Sequence, residues 1–193
     1  MMKKIACIVL LMLGCAYLNN EAQAQNSEWT YYTANSGVNA IAFEGNNVWI
    51  AAWGGLKLLE KQTGKLKHFF SCNCGITAID INAIAIDAQG NKWIGTYGDG
   101  LAKFDGSIWT TYNTSNSGLP QNWVSSITID AQGNMWIGTS GGLAKFDGSI
   151  WTTYNTSNSG LPDDYVMSIA IDAQGNIWIG TLFGGLAKFD GLI

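Results

Sequence analysis

Arginine is absent from this chain of 193 residues, so its ten cationic side chains are all lysines. Without guanidinium groups the protein cannot make bidentate contacts with carboxylates or phosphates. Its net charge is −4 and it has no basic cluster, which argues against a nucleic-acid partner. The lack of arginine also excludes sialidase activity, because a sialidase needs arginines to hold the substrate carboxylate.

Long apolar runs are missing beyond the N-terminal region, where residues 1–24 have the pattern of a signal peptide. Lys3 and Lys4 precede the apolar residues 5–18, and Ala-Gln-Ala at 22–24 is a typical cleavage site. No later run approaches the roughly 20 residues of a transmembrane helix. An alternative is a lipobox at residues 13–15, which would make Cys15 a lipidated N-terminus. Both interpretations place residues 25–193 outside the cytoplasm, either periplasmic or secreted.

Histidine and cysteine are also scarce. His68 is the single histidine, and with no partner at a recognisable spacing we interpret it as structural. Cys72 and Cys74 are separated by one residue, which would strain a disulfide, and no second ligand pair accompanies them as in a zinc site. We therefore expect both cysteines to be small residues in a connection.

Glycine and tryptophan are abundant, with 24 and 9 residues, and they recur within an internal repeat. Residues 127–158 match residues 84–116 almost letter for letter, and the first half of the unit returns at 169–191. The aspartates that open the copies, Asp87, Asp130 and Asp172, are 43 and 42 residues apart. A period in the low forties with several short apolar runs per unit predicts β-propeller blades.

The repeat count predicts an all-β propeller of four blades, each with four antiparallel strands. The units span about residues 27–70, 71–112, 113–154 and 155–193, and residues 27–32 match the outermost strand of later units. We expect residues 27–32 to complete the last blade beside residues 186–189, so that the two ends of the chain close the ring. The alternatives are an open four-blade arc that dimerises into an eight-bladed ring, and a solenoid.

Several repeated positions have predicted structural roles. Trp93, Trp136 and Trp178 are expected to be equivalent buried residues between blades, and Gly138 should allow a close approach. The aspartate of each turn, such as Asp130 in residues 130–134, should accept backbone N–H groups. These turns lack the further acidic positions of a calcium loop, so neither a metal nor another cofactor is expected.

The unit resembles the two-component regulator propeller repeat, the blade of extracytoplasmic sensor domains in bacterial hybrid histidine kinases. The matching positions include residues 158–162, Val166, Asp172, residues 178–181 and residues 184–190, and a similar string runs from 116 to 147. The resemblance implies a propeller outside the cell that senses a ligand. Family sensors carry many more blades followed by signalling modules. A stand-alone binding propeller and a fragment of a larger sensor therefore both remain open.

Positions that differ between the units are the candidates for a binding site. They cluster in the connection that enters the innermost strand and in the connection that follows Gly-Thr, which should open on the same face of a propeller. The candidate ligand-binding residues are Trp53, Tyr97, Asp99, Asn122, Trp123, Asp163, Asp164, Tyr165 and Phe183. Such aromatic and polar side chains suit a carbohydrate or a small polar ligand. Sequence drift between the units is the alternative explanation.

Catalysis is not expected from these residues. Asp163 and Asp164 form the one adjacent carboxylate pair in this region, but neighbouring residues of an extended chain point apart. The chain is therefore predicted to be a non-enzymatic binding propeller. A structural or protein-interaction propeller that assembles with itself is the alternative.

Overall fold

The computed structural model describes residues 23–24, 30–32, 37–69 and 80–191, and within them the regular structure consists of β-strands. The leader up to residue 22 with Cys15, residue Trp29, and the pair Cys72 and Cys74 lie outside the described residues. Among the strands and turns that are described, no helix has the length and hydropathy needed to cross a membrane.

Each repeat folds as an antiparallel sheet whose strands follow chain order, and we name these sheets blades 1 to 4. Blade 1 comprises β3 (Val38–Glu44), β4 (Asn47–Ala52), β5 (Gly55–Glu60) and β6 (Leu66–Phe69). Blade 2 comprises β7 (Ile81–Ile86), β8 (Lys92–Thr96), β9 (Leu101–Phe104) and β10 (Trp109–Tyr112). Blade 3 comprises β11 (Val124–Ile129), β12 (Met135–Thr139), β13 (Gly142–Phe146) and β14 (Trp151–Tyr154). Blade 4 comprises β15 (Val166–Ile171), β16 (Ile177–Thr181) and β17 (Leu186–Phe189). The predicted all-β class with antiparallel blades is confirmed.

Most of the core lies between successive blades, and one smaller buried cluster, which includes Val48 and Ile50, belongs to blade 1 alone. A blade packs through its leading face on the blade before it and through its trailing face on the blade after it. Trp93 and Leu101, on the trailing face of blade 2, pack against Val124 and Ile137 on the leading face of blade 3. The second strand of a blade, such as β12, is buried at every residue because it has a neighbour on both faces.

Glycine allows the close approach at these interfaces. A Cβ at Gly95 would lie 2.5 Å from Cγ1 of Val124, and a Cβ at Gly138 would lie 2.7 Å from Cγ1 of Val166. The first residues of the innermost strands of blades 3 and 4 therefore rest on a glycine of the preceding blade. The prediction that Gly138 permits a close approach is confirmed.

Polar contacts repeat along the innermost strands. Each of these strands has a register shift, typical of a β-bulge, after its first residue. The side chains of the residues at the first three shifts donate hydrogen bonds to a carbonyl of the next blade: Asn39 to Ile81, Asn82 to Val124, and Ser125 to Val166. Successive blades are thus joined by both packing and hydrogen bonds.

The predicted closure of the ring through the terminal strands is not found. Blade 4 has three strands, and β2 (Thr30–Tyr31) pairs with β1 (Gln23–Ala24), with Gln23 opposite Tyr31 and Ala24 opposite Thr30. Only five residues lie between these two strands in the sequence, so their pairing has a smaller entropic cost than pairing across the whole chain. The edge of β17 is consequently without a neighbouring strand in the part of the chain that is described.

The open end also corrects the prediction for the three tryptophans. Trp93 and Trp136 are buried, but Trp178 is only half-buried. The reason is that no described blade covers the trailing face of blade 4. Leu186 on that face is 67% exposed, whereas its equivalent in blade 3, Leu143, is 2% exposed.

Candidate functional site

Backbone hydrogen bonds bring the two variable connections together at one rim of the blades. In each blade the residue after the second strand donates its N–H to the carbonyl of the residue before the innermost strand. The pairs are Trp53 to Gly37 at 3.1 Å, Tyr97 to Asp80 at 3.0 Å, Ser140 to Trp123 at 3.2 Å, and Leu182 to Tyr165 at 2.9 Å. Positions that are far apart in the sequence therefore become neighbours, as the comparison of the units predicts.

Three of the candidate residues form a continuous aromatic row on this rim. Tyr97 and Trp123 are in contact, with ring centroids 4.4 Å apart and an interplanar angle of 58°. Trp123 also meets Tyr165 edge-on, with centroids 5.1 Å apart and an angle of 85°. The row thus crosses blades 2, 3 and 4, with Trp123 at its centre. We call these three residues the aromatic row.

The row combines a solvent-facing surface with fixed polar groups. Tyr97 is 55% exposed, while Trp123 and Tyr165 are half-buried. Desolvation, together with nearby Tyr97, raises the pKa of Tyr165, so its phenol stays protonated at neutral pH and can donate a hydrogen bond. Rings with polar tips of this kind bind ligands that have both apolar faces and hydroxyl groups.

Trp53 and Phe183 lie on the same rim but outside the aromatic row. An isolated bridge joins Trp53 to Asp80 just as one joins Tyr97 to Trp123, so the two residues occupy equivalent positions in successive blades. Trp53 is 61% exposed and Phe183 is 84% exposed. They extend the rim surface at its two ends.

The polar candidates mainly hold the rim loops in place. Asn122 Oδ1 accepts a hydrogen bond from the N–H of Thr114, and its backbone carbonyl accepts from the N–H groups of Gly98 and Gly100. The turn that contains Asp99 is fixed by its own backbone, because the Asp99 N–H donates to Thr96 Oγ1 at 3.0 Å. These groups shape the loops around the aromatic row.

The two adjacent carboxylates point to different partners. Asp163 Oδ2 accepts from the N–H of Phe183 at 2.8 Å, and its Oδ1 accepts from the N–H of Tyr165 at 3.2 Å. Asp164 Oδ1 instead accepts from the N–H of Thr156 at 2.7 Å. Asp163 therefore ties the two connections of blade 4 to each other, next to the aromatic row.

The remaining chemistry-bearing residues have structural surroundings. His68 lies on β6 opposite Lys57, and desolvation with the Lys57 charge lowers its pKa, so that the imidazole is neutral near pH 7. Within the described ranges no three His, Cys, Asp or Glu residues are grouped so that they could hold a metal ion.

A groove at the outer edge of blade 4 was not anticipated as a site. It has a volume of about 320 Å³ and lies between Leu143, Tyr154 and Leu161 of blade 3 and Ile179, Ala187 and Phe189 of blade 4. At the equivalent place one blade earlier, Trp151 of β14 packs on Gly118. At Gly160, which is equivalent to Gly118, an added Cβ would have no atom within 4 Å. The sequence indicated this groove indirectly. Residues 27–32 match an outermost strand but come before the first inner strands, which shifts the count of outermost strands by one.

Comparison with known proteins agrees with the fold. The sequence profile of the family described as two component regulator propeller matches residues 118–141 and 160–183. The extracellular domain of a putative hybrid two component system from B. thetaiotaomicron is 23% identical, with a TM-score of 0.70. The match covers 80% of this chain but only 23% of that domain. A search of curated proteins finds no match.

Other solved structures share the fold at lower identity. Catalytically inactive H270A virginiamycin B lyase from Staphylococcus aureus, solved with quinupristin, is 16% identical with a TM-score of 0.62, over 82% of this chain and 58% of that one. The computationally designed Ika4 protein is 13% identical with a TM-score of 0.60, over 81% of this chain and 92% of that one. Both matched ranges contain a Gly-Leu-Pro segment and a Trp-Ile-Gly-Thr strand, which also belong to the sequence resemblance. Residues 118–141 and 160–183 therefore match the two-component regulator propeller repeat.

Proposed function

We propose that this chain is a non-enzymatic binding propeller of the sensor type that acts outside the cytoplasm. The observation that carries the proposal is the aromatic row, in which Tyr97, Trp123 and Tyr165 touch one another along a rim fixed by backbone hydrogen bonds. The rings lie at connections between strands, where binding residues of rigid scaffolds commonly occur. The row belongs to the part of the unit that varies from blade to blade.

The chemistry of the row favours a neutral ligand with both apolar faces and hydroxyl groups, such as an oligosaccharide. Ring faces stack on the apolar side of a sugar, and phenol and indole groups donate hydrogen bonds to its hydroxyls. The chain lacks arginine and has a net charge of −4, which disfavours strongly anionic ligands. The candidate residues Trp53, Asp99, Asn122, Asp163, Asp164 and Phe183 would border the ligand.

Comparison with the lyase raises an enzymatic alternative, which the position of the histidine disfavours. The Staphylococcus aureus lyase is catalytically inactive in its H270A variant, in which alanine replaces a histidine. In this chain the single histidine, His68, lies on the outermost strand of blade 1, whereas the aromatic row lies at the rim where β8 ends and where β11 and β15 begin. A binding role accounts for the row without a catalytic group.

The proposed location rests on the leader at residues 1–24 and on the similarity to an extracellular domain. Cleavage after Ala24 would release a periplasmic or secreted chain that begins at Gln25. Intact mass of the exported protein distinguishes this outcome from lipidation, because a diacylglycerol-modified Cys15 would increase the mass and retain residues 15–24.

Binding is tested on the exported protein by calorimetric titration with neutral oligosaccharides: cello-, malto- and manno-oligosaccharides. We expect one of these series to bind, and Trp123→Ala to weaken the binding at least ~10-fold, since the central aromatic group of a site usually dominates its affinity. Trp53→Ala removes a more exposed tryptophan at the end of the same rim, outside the aromatic row, and should weaken the binding less than Trp123→Ala. If the parent protein binds none of the sugars, or if Trp123→Ala retains full affinity, the proposed site is wrong.

A further inference from the structure

The two ends of the blade series carry complementary halves of one contact. Val38 begins β3 as Val124 begins β11, but Val38 is 51% exposed whereas Val124 is fully buried on Gly95. Gly180 is the equivalent of Gly95 in blade 4, and a Cβ placed there would meet only Ser168 of its own blade. Among the described residues, Val38 on the leading face of blade 1 therefore packs on no glycine, and Gly180 on the trailing face of blade 4 is covered by no valine.

Other residues on the two faces show the same pattern. On the leading face of blade 1, Ile41 and Phe43 of β3 are 52% and 66% exposed, while the β4 residues Val48 and Ile50 are buried. On the trailing face of blade 4, Leu186 is exposed and Trp178 is half-buried. The exposed apolar side chains of β3 and β17 are surface of the kind that indicates an interaction site, whereas Val48 and Ile50 form a buried cluster with Leu59 within a single chain.

We propose that a second copy of this chain covers these faces, with blade 1 of each copy packed on blade 4 of the other. The molecule already contains the same interface between successive blades three times, and the proposed contact would repeat it between two chains. Ile81, Val124 and Val166 are each buried between one blade and the next, and the same residue types recur at Val38 and Gly180. Two such head-to-tail contacts join two chains into one closed ring of eight blades.

The groove at the outer edge of blade 4 fits the same arrangement. It lies where an outermost strand would complete the blade, and Gly160 is open where Gly118 contacts Trp151. A second copy packed on the trailing face of blade 4 therefore lies next to this groove.

The test measures the mass of the exported, cleaved protein in solution by analytical ultracentrifugation. We expect a dimer, and Val38→Lys and Leu186→Lys should each raise its dissociation constant at least ~10-fold, because each places a charge in an apolar contact. Ile150→Lys alters a side chain that is also 65% exposed but lies on neither face, so it should leave the dimer intact. A monomeric parent protein, a ladder of larger oligomers, or a dimer that resists both substitutions overturns the proposal.

Mixing the two variants tests the head-to-tail geometry. A chain with Val38→Lys keeps a native blade 4, and a chain with Leu186→Lys keeps a native blade 1. An equimolar mixture therefore forms one native contact and should recover heterodimer at concentrations where each variant alone is monomeric. Absence of recovery contradicts the head-to-tail arrangement. Circular dichroism of each variant verifies that the blades remain folded, because both substituted positions are exposed within one chain.

Discussion

The indole Nε1 of Trp136 donates a hydrogen bond to Oδ2 of Asp130 at 3.1 Å. The same bond joins Trp93 to Asp87 and Trp178 to Asp172, each at 2.9 Å. In blade 1 glutamate replaces the aspartate, and Glu44 Oε2 accepts from Trp49 Nε1 at 2.8 Å. Because the tryptophan also packs between blades, this bond links the first turn of each blade to the adjoining interface.

Asp130→Ala should lower the free energy of unfolding by about 2 kcal/mol, because it leaves the Trp136 indole and two backbone N–H groups without their acceptor. Trp136→Phe removes the indole donor and keeps a ring in the interface. A double-mutant cycle of the two in urea should give a coupling energy of roughly 0.5–3 kcal/mol. Asp147→Ala is the control, since Asp147 accepts only backbone N–H groups of an exposed turn. Equal losses for Asp130→Ala and Asp147→Ala, with no coupling in the cycle, would contradict a role for the indole bond.

Stability should decrease in acid because of these turn carboxylates. Burial raises the pKa of Asp130, but hydrogen bonds from Asn134 and Trp136 and from backbone N–H groups outweigh it and hold the pKa below its ordinary value. Hydrogen bonds from Trp178 and Asn176 lower the pKa of Asp172 to about 2. A depressed pKa in the folded state means that folding favours the ionised form. The contribution is therefore complete above the unfolded pKa of about 3.9 and disappears as the pH falls through the folded value.

The urea midpoint should accordingly be constant from pH 7 to about 5 and fall between about pH 4 and 2. Asp172→Asn should flatten part of this decrease, because the asparagine does not titrate. A midpoint that rises on acidification would contradict the assignment of these carboxylates.

The repeat allowed much of the blade to be predicted from the sequence. The turn at residues 130–134 and the strands β12 and β14 lie where the pattern places them, because Asp, Asn and Gly fix the turn and alternating side chains fix the faces. The environment of Trp178 could not be predicted in this way. Its sequence context is nearly identical to that of Trp136, and only the arrangement of the blades decides whether a neighbour covers it.

The candidate site, like the blades, could be predicted from the sequence only in part. Comparison of the units selected Tyr97, Trp123 and Tyr165, which the structure brings together. The same comparison selected Asn122 and Asp163, whose hydrogen bonds to loop N–H groups identify them as loop-positioning residues. A polar residue that varies between units is compatible with ligand contact and with loop capping, and the sequence alone does not separate the two roles.

Trp136→Ala and Trp178→Ala should differ in cost although the two residues occupy equivalent positions. Truncation of Trp136, which is 3% exposed between blades 3 and 4, should cost about 3–5 kcal/mol. Trp178→Ala should cost clearly less, because this ring is only half-buried within a single chain. Chemical denaturation of both variants in the monomeric Val38→Lys background measures the difference. Similar costs would mean that another part of the molecule covers the trailing face of blade 4.

Met167→Asn should tighten the association of two chains. Asn39, Asn82 and Ser125 each donate a side-chain hydrogen bond to the next blade, but Met167 occupies the equivalent position in blade 4 and has no donor. An asparagine there could donate to the Val38 carbonyl of the partner copy. A net gain of about 0.5–1.5 kcal/mol corresponds to a roughly 2- to 12-fold lower dissociation constant. Sedimentation of the variant beside the parent protein measures it, and an unchanged constant argues that the innermost strands do not meet between copies.

Gly118→Ala and Gly160→Ala should behave oppositely although both lie in the segment Asn-Ser-Gly-Leu-Pro. A Cβ at Gly118 would overlap the Trp151 side chain, so Gly118→Ala should cost about 1–3 kcal/mol. A Cβ at Gly160 would meet nothing within 4 Å, and Gly160→Ala should be neutral or stabilising by up to about 1 kcal/mol, because alanine restricts the unfolded chain. Urea denaturation of the two variants beside the parent protein measures the difference. Equal costs for Gly118→Ala and Gly160→Ala would contradict the packing of Trp151 on Gly118.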